Sequence, residues 1–542
     1  MPGRVRRAVA VAVPALVMSG FGLWGLDRGG IWRDEAVTFQ VARRTVPQIW
    51  RLLHGVDAVH GLYYLLMHAV LAVHPGEVVL RLPSVCAAAV TAGLVAALGA
   101  RLARPRVGLW AGLLYAVSPM AGHYAQEGRS YALVAAGATG ATLLFVRAAR
   151  GGPWWAYGVL LGLTCWLHEF AVLLLLAHGV SLAIARAGVR VWRGWGCAAV
   201  AVGVLLVPMA LVSRAQSAQL AWVRRPTVET AQGVLRTFLG PTDGVYWTCL
   251  GLAVVGMVGL VGRRGELTCA GVALPLVVVP PVVLMLVSQV SPLYVDRYVL
   301  YALSGAPVLV AAGADRVAGV VGRLRPGGRR VPTRSALRND CPHDDGKSYA
   351  LPLLQSLLTL AGVLAVLLAV VQQLPLLRDD RVPVHRPDDL AAVSRAAARV
   401  LRPGEPVLFL PVQARNAALA YPGAFRGVRD VGLGVSAAES GTLYGQEADA
   451  GTLRRRVARL DRVWVVADRN LLAGRWSPNS QAEQAKLALL TQEFVPVEES
   501  VSGAVTVRLY VRRSAVSRSP ASPPAPPGPA LPSPASPRPA RR

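Results

Sequence analysis

The sequence predicts a polytopic all-α membrane protein, followed by a small C-terminal α/β domain and a disordered Pro-rich tail. Three observations predict it. The chain is 54% hydrophobic over 542 residues, and its mean hydropathy is +0.43. Its apolar runs repeatedly reach bilayer-spanning length. Its arginines gather in short loops between those runs, which is how a membrane protein carries a formal charge of +27 and argues against a nucleic-acid-binding role.

The first run, Ala8 to Leu26, follows Arg4, Arg6 and Arg7, so the N-terminus is expected in the cytoplasm. It has no small-residue cleavage site and reads as a span, not a removed signal. Leu62 to Val73 is too short to cross and reads as an interfacial helix, with Tyr63 and Tyr64 at one end. Counting it as a span would put the basic loop Arg101 to Arg106 outside, against the charge rule. About eleven spans then alternate with basic cytoplasmic loops, including Val107–Gly122, Trp154–Leu167 and Phe170–Ala185, one ending at Arg263 and a last one at Ala350–Val371. Five of the six cysteines lie in or beside apolar runs and read as small buried apolar residues; Cys341 lies in a basic loop.

The composition changes after the last span. Leu390, Val393, Val400 and Leu401 suit one helix face, Val407–Leu410 and Val463–Val466 read as strands, and Val505 to Val511 alternates as a half-buried strand. The division is residues 1–375 for the membrane domain, 376–513 for an extracytoplasmic α/β domain, and 514–542 for a disordered tail. The α/β domain shows no catalytic cluster and is expected to be dispensable for chemistry. The bias to arginine over lysine, with many Ala, Gly and Pro, suits a GC-rich bacterial genome.

On this topology the polar clusters converge on the outer face. They are Asp34-Glu35; His60-Gly-Leu-Tyr63-Tyr64 with Arg81-Leu-Pro-Ser84; Tyr124-Ala-Gln126-Glu127-Gly-Arg129-Ser-Tyr131; His168-Glu169; and Ser291 to Arg297-Tyr298. Acidic groups at a membrane face are costly without partners or a task. The ordinary alternatives are an acidic helix start for Asp34-Glu35, an interfacial aromatic belt for the tyrosines, an interface position for His168 and a surface ion pair for Glu127 and Arg129. Arg129 and Arg297 stand on the side the charge rule leaves poor in arginine, and a guanidinium there fits an anionic headgroup.

Together, Trp32-Arg-Asp-Glu-Ala36, the His60 and Arg81 segments, the Tyr124 to Tyr131 segment and Arg297-Tyr298 resemble the polyprenyl-phosphate-sugar-dependent membrane glycosyltransferases of GT-C fold. That group includes protein O-mannosyltransferases and the aminoarabinose transferases of lipid A. The resemblance covers about residues 8 to 320 and departs twice: His60-Gly-Leu stands where the family often has His-Pro-Pro, and Gly128 stands where it has alanine. It implies transfer of a sugar, mannose or another hexose, from a polyprenyl phosphate to a hydroxyl of a glycan, lipid or protein acceptor at the outer face of the plasma membrane. It makes Asp34 the base, with Glu35 beside it as a second catalytic residue that orients the sugar or acceptor. His60, Tyr63, Tyr64, Arg81, Tyr124, Gln126, Glu127, Arg129, His168, Arg297 and Tyr298 are the expected substrate-binding residues. A phosphate leaving group needs charge stabilisation more than a proton, and one base with one phosphate clamp suffices for inversion. No cofactor is expected; carboxylates at an outer face can bind a divalent cation, but nothing requires one. A lipid or glycan flippase is the competing reading, yet transport asks for charges at the midplane, and these spans are nearly free of acids. A membrane scaffold would not gather carboxylates and arginines on one face.

Overall fold

The computed structural model describes residues 3–28, 30–324, 350–382, 389–478, 480–502 and 505–516. The chain opens with the apolar helix α1 (Gly3–Leu23). Three short helices follow: α2 (Arg33–Ala42), α3 (Val46–Gly55) and α4 (Gly61–Val73). The helical body continues through α5 (Glu77–Leu102), α6 (Pro105–Ala116), α7 (Pro119–Ala125), α8 (Tyr131–Ala148), α9 (Trp154–Leu167) and α10 (Leu173–Ile184). It is completed by α11 (Val189–Ala215), α12 (Val228–Leu239), α13 (Asp243–Gly256), α14 (Cys269–Val287), α15 (Gly305–Leu324) and α16 (Ala350–Asp379).

Among the described residues, seven helical stretches are long and apolar enough to cross a membrane: Arg4–Leu23, Glu77–Leu102, Tyr131–Ala148, Val189–Ala215, Cys269–Val287, Asp296–Val320 and Leu357–Asp379. The other four expected spans are built on shorter helices, α6, α9, α10 and α13. The physical causes are local. Pro119 lacks an N–H and starts α7 as a new helix after α6, and a 3₁₀ turn at Glu169–Val172 separates α9 from α10. The outer faces of α11 and α16 leave Val200, Val204, Leu211, Leu360, Leu364 and Leu368 exposed. Such faces suit lipid, where apolar side chains carry no penalty. Inside, α5, α6, α8, α14 and α15 share one apolar core. Small residues let helices close up: a Cβ on Gly313 would stand 1.8 Å from the Leu252 carbonyl oxygen, so α13 and α15 meet backbone to backbone. Cys165, Cys249 and Cys269 are buried as expected, whereas Cys86 and Cys197 lie on exposed helix surface. Cys341 lies outside the described residues, as does the tail beyond Val516.

After α16 come α17 (Leu390–Val400), β1 (Pro406–Leu410), α18 (Asn416–Ala420), β2 (Arg429–Asp430), β3 (Leu433–Val435), β4 (Gln446–Glu447), β5 (Arg462–Asp468), β6 (Phe494–Ser502) and β7 (Val505–Arg512). The main sheet runs β2-β1-β5-β7-β6. β1 is parallel to β2 and β5, while β7 is antiparallel to β5 and β6. This sheet is not a free appendage. Its helices α17 and α18 share one apolar core with α2, α3 and α4, and that core holds Phe39, Tyr63, Tyr64, Leu390, Val393 and Phe425. The Tyr421 hydroxyl accepts from the Ile31 N–H (2.9 Å) and donates to Glu77 Oε1 (2.6 Å). Gln40 Nε2 donates to the Leu443 carbonyl at 2.7 Å. This segment, expected to be dispensable for chemistry, forms one wall against the helix that carries Asp34. Arg381, just past α16, donates to the Trp24 and Phe21 carbonyls at the end of α1. At the opposite end of the bundle, Arg104 and Arg106 pair with Asp315 of α15.

Candidate active site

The site is built around α2. Trp32 is extended and Arg33 opens the helix, so Asp34 and Glu35 lie in its first turn, about 100° apart around the axis. Glu35 points inward. Its carboxylate accepts from Arg81 Nε at 2.8 Å, from Arg81 Nη2 at 2.7 Å and from the Gly128 N–H at 2.8 Å. Both side chains are 0% exposed. Arg81 also donates to the Leu26 and Gly30 carbonyls. One buried fork thus ties α2 to α5, to the link before α2 and to the 126–130 turn. Glu35, expected to be catalytic, and Arg81, expected to bind substrate, thus direct these hydrogen bonds to each other and to backbone. Gln126 serves the same anchoring: its Nε2 donates to the Gly22 and Trp24 carbonyls. Ser84 Oγ holds the turn from below through the Glu127 and Arg129 carbonyls.

Asp34 faces the other way. Its Oδ2 stands 3.3 Å from Arg297 Nη2, with the two side chains 23% and 21% exposed. Arg297 comes from the 3₁₀ segment Asp296–Ser304 that leads into α15. Its Nε donates to the Tyr131 hydroxyl at 3.0 Å, and its guanidinium lies 5.9, 6.0 and 5.8 Å from the rings of Tyr131, Trp222 and Tyr298. Beneath the pair, Arg129 donates to the Asp34 carbonyl, to Thr38 Oγ1 and to His60 Nε2 at 2.9 Å. Arginine only donates, so His60 Nε2 is the acceptor and carries no proton. His168 packs against Tyr298 (4.7 Å between ring centroids), Tyr131 (5.9 Å) and His60 (6.3 Å). Burial, with Arg129 and Arg297 nearby, pushes its pKa down to about 3, so it is neutral at ordinary pH. Tyr63 and Tyr64 are fully buried behind this layer, and the Tyr64 hydroxyl donates to Asp57. They belong to the core, not to an aromatic belt or a substrate surface.

Two cavities meet at this point. A cavity of about 470 Å³ is lined by Arg297, Arg224, Arg225, Trp222, Tyr294 and Tyr124. Arg224 and Arg225 were missed in the sequence, although two adjacent arginines in an outer loop break the charge rule just as Arg297 does. A cleft of about 530 Å³ shares Tyr124 and Asp296 with it and is lined further by Trp32, Gln126 and Glu127. Glu127 is 3% exposed, and neither carboxylate oxygen has a hydrogen-bond partner among the described residues. Burial pushes its carboxyl up to about 7. The structure therefore brings Asp34, Tyr124, Glu127, Arg129, His168, Arg297 and Tyr298 around one polar centre. It sets Glu35, Arg81, Tyr63 and Tyr64 behind that centre as its support. Among the described residues, no group of three or more His, Cys, Asp or Glu side chains is placed to hold a metal ion.

No protein-family profile matches the chain, and no curated protein matches it by sequence. Solved structures do match. ArnT from Cupriavidus metallidurans in the apo state superposes with a TM-score of 0.58 at 15% identity, covering 93% of this chain and 97% of that one. The same enzyme bound to undecaprenyl phosphate gives 0.53 at 14% identity, with the same coverage. The oligosaccharyltransferase AglB from Archaeoglobus fulgidus, in complex with an inhibitory peptide and a dolichol-phosphate, gives 0.47 at 11% identity over 92% of this chain and 74% of that one. The chain is thus a multi-pass membrane protein with the GT-C fold of ArnT, together with its C-terminal sheet region.

Proposed function

We propose that the protein is a polyprenyl-phosphate-dependent membrane glycosyltransferase that moves a hexose, mannose by the sequence resemblance, onto an acceptor hydroxyl with inversion. The observation that carries this reading is the Asp34–Arg297 pair at the edge of an arginine-lined cavity. The undecaprenyl phosphate bound by ArnT, a protein of the same fold, supports a lipid-phosphate donor.

The chemistry follows from charge. The donor phosphate takes the Arg297 guanidinium, with Arg224 and Arg225 beside it, and charge-assisted bonds to its oxygens stabilise it as it leaves. That exchange releases Asp34 from Arg297. Asp34 then accepts the proton of the acceptor hydroxyl. The oxygen attacks the anomeric carbon from the side opposite the phosphate, a C–O bond forms, and the bond to phosphate breaks with its electron pair going to the phosphate. Tyr131 and Tyr298 flank the clamp, and Arg129 holds the backbone of Asp34 and the neutral His60. The charge rule puts the site and the C-terminal sheet on the extracytoplasmic face and the N-terminus in the cytoplasm. Incubating membranes that contain the protein with labelled polyprenyl-phosphate sugars tests the reading. Label should move to a membrane-associated product or to water; none moving from any donor would refute it.

A further inference from the structure

Where the neighbouring cavity is lined by arginines, this cleft is lined by acidic side chains. Glu127, Asp296, Asp379 and Asp380 line it. His123 is there too, hydrogen-bonded to Asp380 Oδ1 at 2.6 Å. Trp32 and Tyr124 offer half-buried aromatic faces, and Met120 and Leu376 add apolar surface. Acidic walls alone mean little, but Glu127 is a second, independent observation. It is buried, and both of its oxygens lack a partner among the described residues. A buried carboxylate in that state is costly unless something entering the site completes it.

We propose that this cleft is the acceptor subsite and that it takes an uncharged carbohydrate, one of whose hydroxyls donates to Glu127. The inference rests on the glycosyltransferase reading and narrows it to an acceptor class. Above about pH 7 Glu127 is a carboxylate, which only accepts, and a sugar ring presents many hydroxyl donors. Its C–H faces suit Trp32 and Tyr124, as in small-molecule sites that pair aromatic walls with a few placed polar groups. A phosphorylated or carboxylated acceptor would meet Glu127 and Asp296 as like charges. A peptide would bring as many backbone carbonyls as N–H groups, and an acidic wall leaves the carbonyls unpaired. The volume, about 530 Å³, lies within the usual range for small ligands, roughly 300–1,000 Å³. Position agrees as well: the cleft shares Tyr124 and Asp296 with the cavity that Arg297 lines.

The test uses the full chain in lipid nanodiscs, loaded with polyprenyl phosphate. Calorimetric titration is run with a p-nitrophenyl hexoside, with its 6-phosphate and with a neutral serine-containing peptide. The hexoside should bind saturably, and the other two at least about tenfold more weakly. Glu127→Gln, which keeps shape and removes charge, should weaken the hexoside about tenfold and shrink the gap to its phosphate. Asp296→Asn, on a different element, should shrink that gap too. Equal or tighter binding of the phosphate or the peptide, or no binding of the hexoside, would overturn the proposal. Failure of the enzyme reading shows separately, as absence of any release from labelled donor, while these binding ratios remain measurable.

Discussion

Glu35 gives its carboxylate to Arg81 and Gly128, while Asp34, one residue earlier, reaches Arg297 at a half-exposed edge. Substitution should separate them. Glu35→Gln leaves the Arg81 guanidinium buried without its counter-ion, a defect that costs about 3–5 kcal/mol; thermal unfolding in detergent should show a large drop. Asp34→Asn should leave the melting temperature almost unchanged. The Glu127 carboxyl is held near 7 by burial, against 4.5 for an unburied glutamate; His123, Arg129 and Arg297 oppose the shift and Glu35 adds to it. An acid raised in this way binds its proton more tightly in the folded than in the unfolded protein. Its contribution to stability is full below about pH 4.5 and is lost as pH rises through about 7. Wild type should lose on the order of 3 kcal/mol across that window, and Glu127→Gln should lack this part of the slope, read as melting temperature against pH. The sequence revealed that these residues are polar, ordered and on one face. It could not reveal which carboxylate is spent internally, because the Arg81 partner lies 46 residues away and only the packing of α2 on α5 brings it in.

The 126–130 turn and the C-terminal sheet are the elements that hold this centre in place. Gly128 has a steric reason: a Cβ there would come 2.6 Å from Leu80 Cγ. Alanine, which the resembling family has at this position, should displace Leu80 or the turn, costing about 1–3 kcal/mol and lowering turnover through Glu127 and the Glu35 contact. Tyr421→Phe, in the sheet region, strands the Ile31 N–H and a Glu77 oxygen. It should destabilise by about 1–3 kcal/mol, and deleting residues 380–542 should abolish activity by removing the wall against α2. Helix α17 and strands β1, β5 and β7 were readable from apolar periodicity. Strand β6 was not, because Pro496, Glu498 and Glu499 break its alternation; an edge strand tolerates them. The contact between this region and α2 was invisible too, since nothing local in either segment names its partner.

On the scale of the whole molecule, the distribution of arginine carried the most information. It gave the order of spans and loops and marked Arg129 and Arg297 as exceptions. It could not separate the seven long helices from the four shorter ones, since interrupted apolar runs have the composition of continuous ones. The same rule predicts that a cysteine placed at the exposed positions His123 or Ser291, or on the surface of the C-terminal sheet, is labelled by an impermeant reagent from outside intact cells. Labelling at Arg104 should need permeabilised cells.

The central claim is that Asp34 works on the acceptor and Arg297 on the donor phosphate. Donor binding and single-turnover rate, measured side by side on purified protein, test it most directly. Asp34→Asn should bind the lipid-phosphate sugar normally and turn over about a hundredfold more slowly or worse. Arg297→Ala should lose both binding and rate, and Arg297→Lys should recover only part, having charge without the planar fork. Near-normal turnover in Asp34→Asn, or undiminished donor binding in Arg297→Ala, would contradict the account.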